Sequence, residues 1–350
     1  MPINSSALSN TSVDPPSLLA CPAEDMGVFQ STSIVDKVRE CLAYWESMNK
    51  ATFAIRLIKH GLTLPFTNKQ EVDRLCKRNI QVRKTSRKKR RILRDEIKSL
   101  ENQRVIERAK INVPLFENYI FCVTKPSGKI RLIFDMKYLN TFIKLPQLQM
   151  FTFKKAFQSF LSNNYACKID LSNAFWHIGI NNNYKRYLSF RFDNVSYWWN
   201  SMPFGLRTAP YLFCKLMGTL IKHICTSFGI VMFYYMDDII ILAPTLDIAH
   251  AHIKIVLEEI TKAGLTINFE KSELQPKSLI TFLGVEIDLV TKTFVPSSDN
   301  ISFCVSKSET FCNGRAKFLK DFQSLVGSLN FVVPFVRYGK LNLSPLHSFN

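Results

Sequence analysis

The run FYYMDDIIIL, Phe233 to Leu242, puts two adjacent aspartates in the middle of one of the most apolar stretches of the chain. A carboxylate withdrawn from water is costly unless it is paired or holds a metal. A single strand through the run would send Asp237 and Asp238 to opposite faces. The stretch is therefore expected to break into two strands, with both acids at the hairpin tip, where they can approach one site. A third acid, Asp170, ends another apolar segment, YACKIDL. Three carboxylates at the ends of neighbouring strands repel one another. Divalent cations that favour hard oxygen ligands, magnesium above all, would relieve that repulsion. Taken alone, DD is as readily an ordinary Asp-rich turn.

The rest of the chain supplies the frame. NYIFCVTKPSGKIRLIFD reads as strand, turn, strand, and YLSFRFDNVSYWW as a hairpin turning at Asp193–Asn194. A helix is expected from RTAPYLFCKLMGTLIKHIC, capped by Thr208, with Leu212, Phe213, Leu216, Met217, Leu220, Ile221 and Ile224 on one stripe. A second helix is expected to be capped by Asp247 and stopped by Gly264, with Ile253, Val256, Leu257 and Ile260 facing inward. LITFLGVEIDL reads as another hairpin, and the segment from Asn313 to Pro334 as helix. Residues 34–65 read as helical up to Gly61, and residues 1–33, rich in Ser, Pro and Asn, as a disordered tail. Hairpins and helices without a steady βαβ rhythm indicate an α+β fold, a sheet covered by helices on one face.

Charge adds a partner class. Forty-six Lys and Arg against 28 Asp and Glu leave the 350-residue chain at +18, which suits a polyanion or an anionic surface. Between Lys77 and Lys110 stand 14 basic and 4 acidic residues. Within this segment Lys84, Arg87, Lys88, Lys89, Arg90, Arg91 and Arg94 open a helix whose apolar face is Leu93, Ile97 and Leu100. They read as phosphate contacts, a nuclear import signal or a solvated face. Nine scattered cysteines with no CxxC argue against a disulfide framework or zinc knuckle, and for an intracellular setting, cytoplasmic or nuclear. His250 and His252 read as helix-surface residues. No basic n-region precedes residue 37, and no uninterrupted apolar run is long enough to span a membrane.

KIDLSNAF, MPFGLRTAPYLF and YMDD occur in the order and spacing of the reverse-transcriptase palm. AGLTINFEKS and FLGVEI resemble the lysine-bearing block and primer grip that follow it, and KPSGKIRLIFDMKYLN resembles the fingers hairpin. The resemblance runs from about residue 38 to the end. The flanking stretches YWESMNKATFAIRLIKHGLTLPF and FQSLVGSLNFVVPFVRYGKLNLSPL are most similar to the tyrosine-recombinase (DIRS-like) retrotransposons. Ty3-like and retroviral enzymes are more distant relatives.

This resemblance implies a right-hand polymerase. Residues 34–115 would be a helical and basic extension, 116–292 fingers and palm, and 293–350 a partial thumb. It implies an RNA-directed DNA polymerase that adds dNTPs to a primer on an RNA or DNA template with two Mg2+ ions, or Mn2+ in their place. Asp170 and Asp237 match the metal-holding acids, and Asp238 the third, supporting acid. Lys271 matches the proton donor to pyrophosphate, and Lys125 and Arg131 the triphosphate grip. Phe175 matches the steric gate, and Phe204 with Gly205 the nucleotide pocket. Tyr235 and Met236 match primer and template contacts, and Phe282, Leu283 and Gly284 the primer grip. Without the motif, Phe175 reads as core and Lys271 as a solvated lysine. RNase H and recombinase or integrase functions would come from other chains or a longer polyprotein. The rival reading is a nucleic-acid-binding relic of the same fold that no longer polymerises.

Overall fold

A computed structural model describes residues 34–35, 37–76, 86–124, 130–148, 150–313, 319–336 and 338–347. The expected tail 1–33, Lys84, Lys125 and the turn of the 118–135 hairpin lie outside them. Among the described residues, segment 34–65 forms three short helices, α1 (Lys37–Glu40), α2 (Leu42–Ser47) and α3 (Thr52–His60), rather than one. The chain is extended at Met48 and takes a positive φ of 63° at Lys50, which interrupts the helical run. Gly61 ends α3 at a φ of 71°, as expected. Then come α4 (Lys69–Leu75) and the basic helix α5 (Arg87–Asn102), which buries Leu93, Ile97 and Leu100.

The first sheet combines β1 (Ile106–Arg108), β2 (Glu117–Thr124), β3 (Ile130–Asp135), β5 (Ser189–Phe192) and β6 (Val195–Trp199), in the order β1-β6-β5-β2-β3. Helices α6 (Lys137–Thr141) and α7 (Phe153–Leu161) lead to β4 (Tyr165–Asp170). That strand belongs to the second sheet with β7 (Val231–Tyr235), β8 (Asp238–Ala243) and β9 (Glu273–Lys277), all antiparallel in the order β7-β8-β4-β9. Helices α8 (Ala209–Phe228) and α9 (Leu246–Lys262) flank it in sequence. A third sheet, β10 (Leu279–Phe282), β11 (Val285–Asp288) and β12 (Thr293–Pro296), precedes α10 (Ser298–Cys312), α11 (Leu319–Val332) and α12 (Gly339–His347).

The second sheet is apolar on both faces, and its period of two sorts the side chains. Cys167, Ile169, Ile239 and Ile241 pack into one core with Phe213, Leu216 and Leu220 of α8 and Val256 and Ile260 of α9. The alternate residues Ala166, Ile240 and Leu242 pack into another with Ala156 and Phe160 of α7 and Ile280, Phe282, Val285 and Ile287 of the third sheet. The expectation of helices on one face thus holds for half the sheet. The other half is covered by a helix and a small sheet, because β8 carries four consecutive branched apolar residues and leaves neither face polar. The larger core also takes in Val38, Trp45 and Leu57 of α1 to α3. Trp45 Nε1 donates to Ala263 O at 3.0 Å.

Two expected caps differ. Thr208 stands before α8 with helical backbone angles and makes no side-chain cap bond, and its buried hydroxyl has no partner. Pro210, in the first turn, lacks the amide that a cap would bind. Helix α9 is capped by Thr245, whose hydroxyl accepts from Ile248 N at 3.4 Å. Asp247 falls inside the first turn, where a negative charge still complements the helix dipole.

Candidate active site

The acids are brought together by strand register. Asp170, last in β4, pairs with Asp238, first in β8, and Asp238 also pairs with Tyr235 of β7. Met236 and Asp237 are left as the two-residue connection, with Met236 at a φ of 57°. The acids therefore divide, Asp237 in the turn and Asp238 in the strand. Leu171 N donates to Asp237 O at 3.1 Å and fastens the turn to the chain leaving β4. From the other side, Asn268 N donates to Asp170 O at 2.8 Å and Asp170 N donates to Ser272 Oγ at 3.0 Å. Ser272 Oγ in turn donates to Asn268 O at 2.7 Å. The backbone of Asp170 is thus held on both its amide and its carbonyl by one short segment, 268–272.

That segment carries Lys271, whose Nζ lies 3.8 Å from Asp170 Oδ1. Lys271 is 70% exposed and Asp170 15%. Beside them opens a cleft of about 210 Å³ lined by Leu171 to Ala174, Phe204, Asp237, Asn268 and Lys271. Burial pushes the Asp237 carboxyl above the ordinary range, and the neighbouring Asp238 and Asp170 carboxylates push the same way, against its own amide and Lys271. Asp238 is placed apart from the cleft. Lys168, two residues before Asp170 and so on the same strand face, pairs with Asp238 Oδ1 at 3.3 Å.

The donor chemistry fits a hard divalent ion. Among the described residues no group of three or more His, Cys, Asp or Glu is placed to hold a metal. Magnesium is ordinarily held by one or two carboxylates together with water and substrate phosphates. Asp170 and Asp237 meet that requirement, and among the described residues lining the cleft Lys271 carries the positive charge.

Phe204, 43% exposed, sets its ring 5.1 Å from that of Phe175 at a tilt of 46°. Phe175 itself is half-buried, 5.6 Å from Phe213, and stands behind the cleft lining. Gly205 has a φ of 93°, and a Cβ there would lie 2.9 Å from Phe134 O, so glycine is required beside Phe204. Tyr235 is exposed and lines a separate apolar cavity of about 260 Å³ with Phe151, Phe233 and Cys214. Met236 Sδ sits 3.6 Å from Cys214 Sγ.

Other expected residues stand elsewhere. Phe282 is fully buried against Phe151 and Phe153, so a primer could meet only the hairpin turn beyond it. That turn is Leu283, at a φ of 50°, and Gly284, whose carbonyl accepts from Asn300 Nδ2 of α10 at 3.0 Å. Arg131 lies in β3 opposite Val123. In the basic helix, Arg90 and Arg94 are not free for phosphate: both pair with Asp193, at 2.6 and 2.7 Å. Arg87, Lys88, Lys89 and Arg91 are exposed. The sequence reading missed Lys168, Asn268 and Ser272. For Lys168 the period of two gave a signal, while Asn268 acts through its backbone and Ser272 through a hydroxyl that no spacing marks.

Residues 123–287 match the family model described as reverse transcriptase (RNA-dependent DNA polymerase). The chain is 30% identical over 222 residues to the genome polyprotein of Petunia vein clearing virus, covering 63% of this chain and 10% of that protein. It is 26% identical over 217 residues to the transposon Tf2-3 polyprotein of Schizosaccharomyces pombe, covering 62% and 15%. The chain thus spans a small part of these relatives. Its fold resembles the foamy viral protease-reverse transcriptase in complex with an RNA/DNA hybrid, with a TM-score of 0.63 at 21% identity over 89% of this chain and 42% of that one. The same protein in complex with dsDNA gives 0.62 at 22%, over 89% and 65%. Among the described residues no helix is long and apolar enough to cross a membrane. Residues 123–287, just under half of this α+β chain, are therefore similar to a reverse transcriptase domain.

Proposed function

We propose that the chain is an RNA-directed DNA polymerase that extends a primer 3′-hydroxyl with deoxynucleotides. The observation that carries this reading is the register of β4 against β8, which sets Asp170 beside the Asp237 turn with Lys271 3.8 Å away. Asp170 and Asp237 would hold the divalent ions, Mg2+ or Mn2+, which supply charge stabilisation to the attacking and leaving oxygens. Asp238, held by Lys168, shapes the turn. Lys271 stands exposed on the cleft wall, able to donate a proton to departing pyrophosphate. Phe204 and Phe175 form an aromatic wall that would exclude a 2′-hydroxyl by size. Lys125 and Arg131 would grip the triphosphate, with Arg offering a fork and Lys a point charge.

In the same reading, residues 116–292 are fingers and palm, 293–350 a partial thumb, and 34–115 an N-terminal extension. The foamy viral relatives carry duplex or hybrid nucleic acid, which supports a primer–template partner. The flanking stretches support a place near the tyrosine-recombinase retrotransposons. RNase H, recombinase and integrase activities would be supplied by other chains or a longer polyprotein. Primer extension on an RNA template with Mg2+ tests the proposal. Labelled primer should lengthen with dNTPs, and no extension on either RNA or DNA templates would overturn it.

A further inference from the structure

His177 closes the 3-10 turn Ala174–His177 and is 1% exposed. Both ring nitrogens are engaged, and by different segments. Nδ1 lies 3.1 Å from Ala174 O, which can only accept, so Nδ1 carries the proton. Nε2 accepts from Thr266 N at 3.0 Å. Ala174 belongs to one wall of the acid cleft and adjoins Phe175. Thr266 leads into the other wall, two residues before Asn268 and five before Lys271. The two segments also meet through backbone: Ser172 N donates to Thr266 O at 2.8 Å, and Leu171 bridges Ile267. Among the described side chains bonded to these segments, His177 has one partner on each.

We propose that His177 is a positioning residue that ties the two cleft walls together and sets Phe175 on one against Lys271 on the other. A protonated ring could not serve, because Nε2 would become a second donor facing an amide. Burial, aided by Lys37, holds the ring down to about 4 against the weaker pull of the Ala174 bond, so it stays neutral near pH 7. Polar groups so enclosed are costly to leave unpaired, and an apolar ring of the same size would strand Thr266 N and take the side-chain donor from Ala174 O. The role in sugar choice rests on the polymerase reading; the tie between the walls does not.

The test compares H177F with H177Q by amide hydrogen exchange and by the ratio of kcat/KM for dNTP over rNTP. In H177F, where Thr266 N loses the Nε2 acceptor, peptides spanning 171–177 and 266–271 should exchange at least about tenfold faster while α8 and β8 keep their protection. The sugar ratio should fall by roughly tenfold. H177Q, which can still donate and accept, should recover part of both. Unchanged exchange in the two segments, or a uniform rise across the chain with an unchanged ratio, would overturn the proposal. Should H177F fail to fold, nitrogen NMR on the wild type decides: a ring protonated at Nε2 would overturn it. A wild-type chain that extends no primer removes the polymerase reading and leaves exchange and tautomer to judge His177.

Discussion

Two hairpin turns of this molecule each carry an aspartate, with opposite outcomes. In the β5–β6 turn, Asp193 and Asn194 have φ values of 47° and 63°. In the β7–β8 turn, Met236 has 57° and is followed by Asp237. Asp193 faces the basic helix. Burial raises its carboxyl slightly, but hydrogen bonds from Arg94 and Arg90 outweigh this and hold it below the usual range. Asp237 faces Asp170 and Asp238, and burial with those neighbours pushes it up. The turns differ in that Asp193 takes a positive φ and Asp237 does not, but the charges that stand opposite each carboxylate decide its role. Cations convert a turn aspartate into a staple, and other carboxylates convert it into a site that requires a cation from outside.

The largest effect should separate the two directly. Asp170→Asn or Asp237→Asn should reduce primer extension by about a thousandfold or more, since electrostatic stabilisation is usually the largest single catalytic contribution. Asp193→Asn should leave it within about twofold. Comparable losses at Asp193 and Asp237 would break the comparison.

Acid denaturation gives the next effect, and it must be dissected before Asp193 can be read. His177 has a folded pKa of about 4, below its unfolded value. Its contribution is therefore complete above about pH 6.5 and lost as pH falls toward 4, roughly 3 kcal/mol in all. Asp193 is likewise depressed, so its share is lost at lower pH, as protonation passes through the carboxylate range. Urea melts of wild type and H177F between pH 7 and 4 should show the first loss only in wild type. Equal slopes would refute it.

On the site side, Phe175→Val should open space beneath the sugar and lower discrimination against ribonucleotides by roughly a hundredfold. An equal loss for both sugars, with a lowered Tm, would mean that Phe175 only packs against Phe204 and Phe213.

The smallest effects sharpen the staple side. Neutralising Arg87, Lys88, Lys89 and Arg91 should flatten the salt dependence of nucleic-acid binding by roughly 0.7–0.9 per lost phosphate contact. Arg90→Gln with Arg94→Gln should leave the slope unchanged and cost up to about 1 kcal/mol of stability per pair. The reverse pattern would show that Asp193 does not occupy those arginines in solution.

What the sequence made legible is what local periodicity controls. The alternation through β4 and β8, the buried face Leu93, Ile97 and Leu100 of α5, and both aspartate hairpins follow from spacing alone. Helix α10 falls in the helical segment expected over 293–350, but its span went unmarked because its only buried residue is Cys304, while Ile301, Phe303 and Val305 are exposed. The pairing of Arg90 with Asp193, across 103 positions, is set by the sheet bringing the β5–β6 turn under α5. Phe282 matched a surface motif yet is buried, because strand parity turns it toward Phe151 and Phe153. In the candidate site, the acids and Lys271 were legible as residue types at fixed offsets. The latch of Asn268 and Ser272 was not, since it joins a main-chain amide to a single serine hydroxyl that no pattern sets apart.

The seat of Trp45 has a consequence for how the chain is made. Its indole binds a carbonyl 218 positions later, and Tyr44 donates to Glu259 across 215. Gly264 comes so close that a Cβ there would lie 2.6 Å from Lys37 O. At about 5–20 residues per second, a ribosome needs on the order of 10–40 s to deliver α9 after α2 has emerged. For that interval a large apolar ring destined for full burial lacks the carbonyl it binds and the chain that closes over it. Nascent chains should therefore be vulnerable to aggregation and open to chaperone capture through α2, until the end of α9 arrives and closes over it.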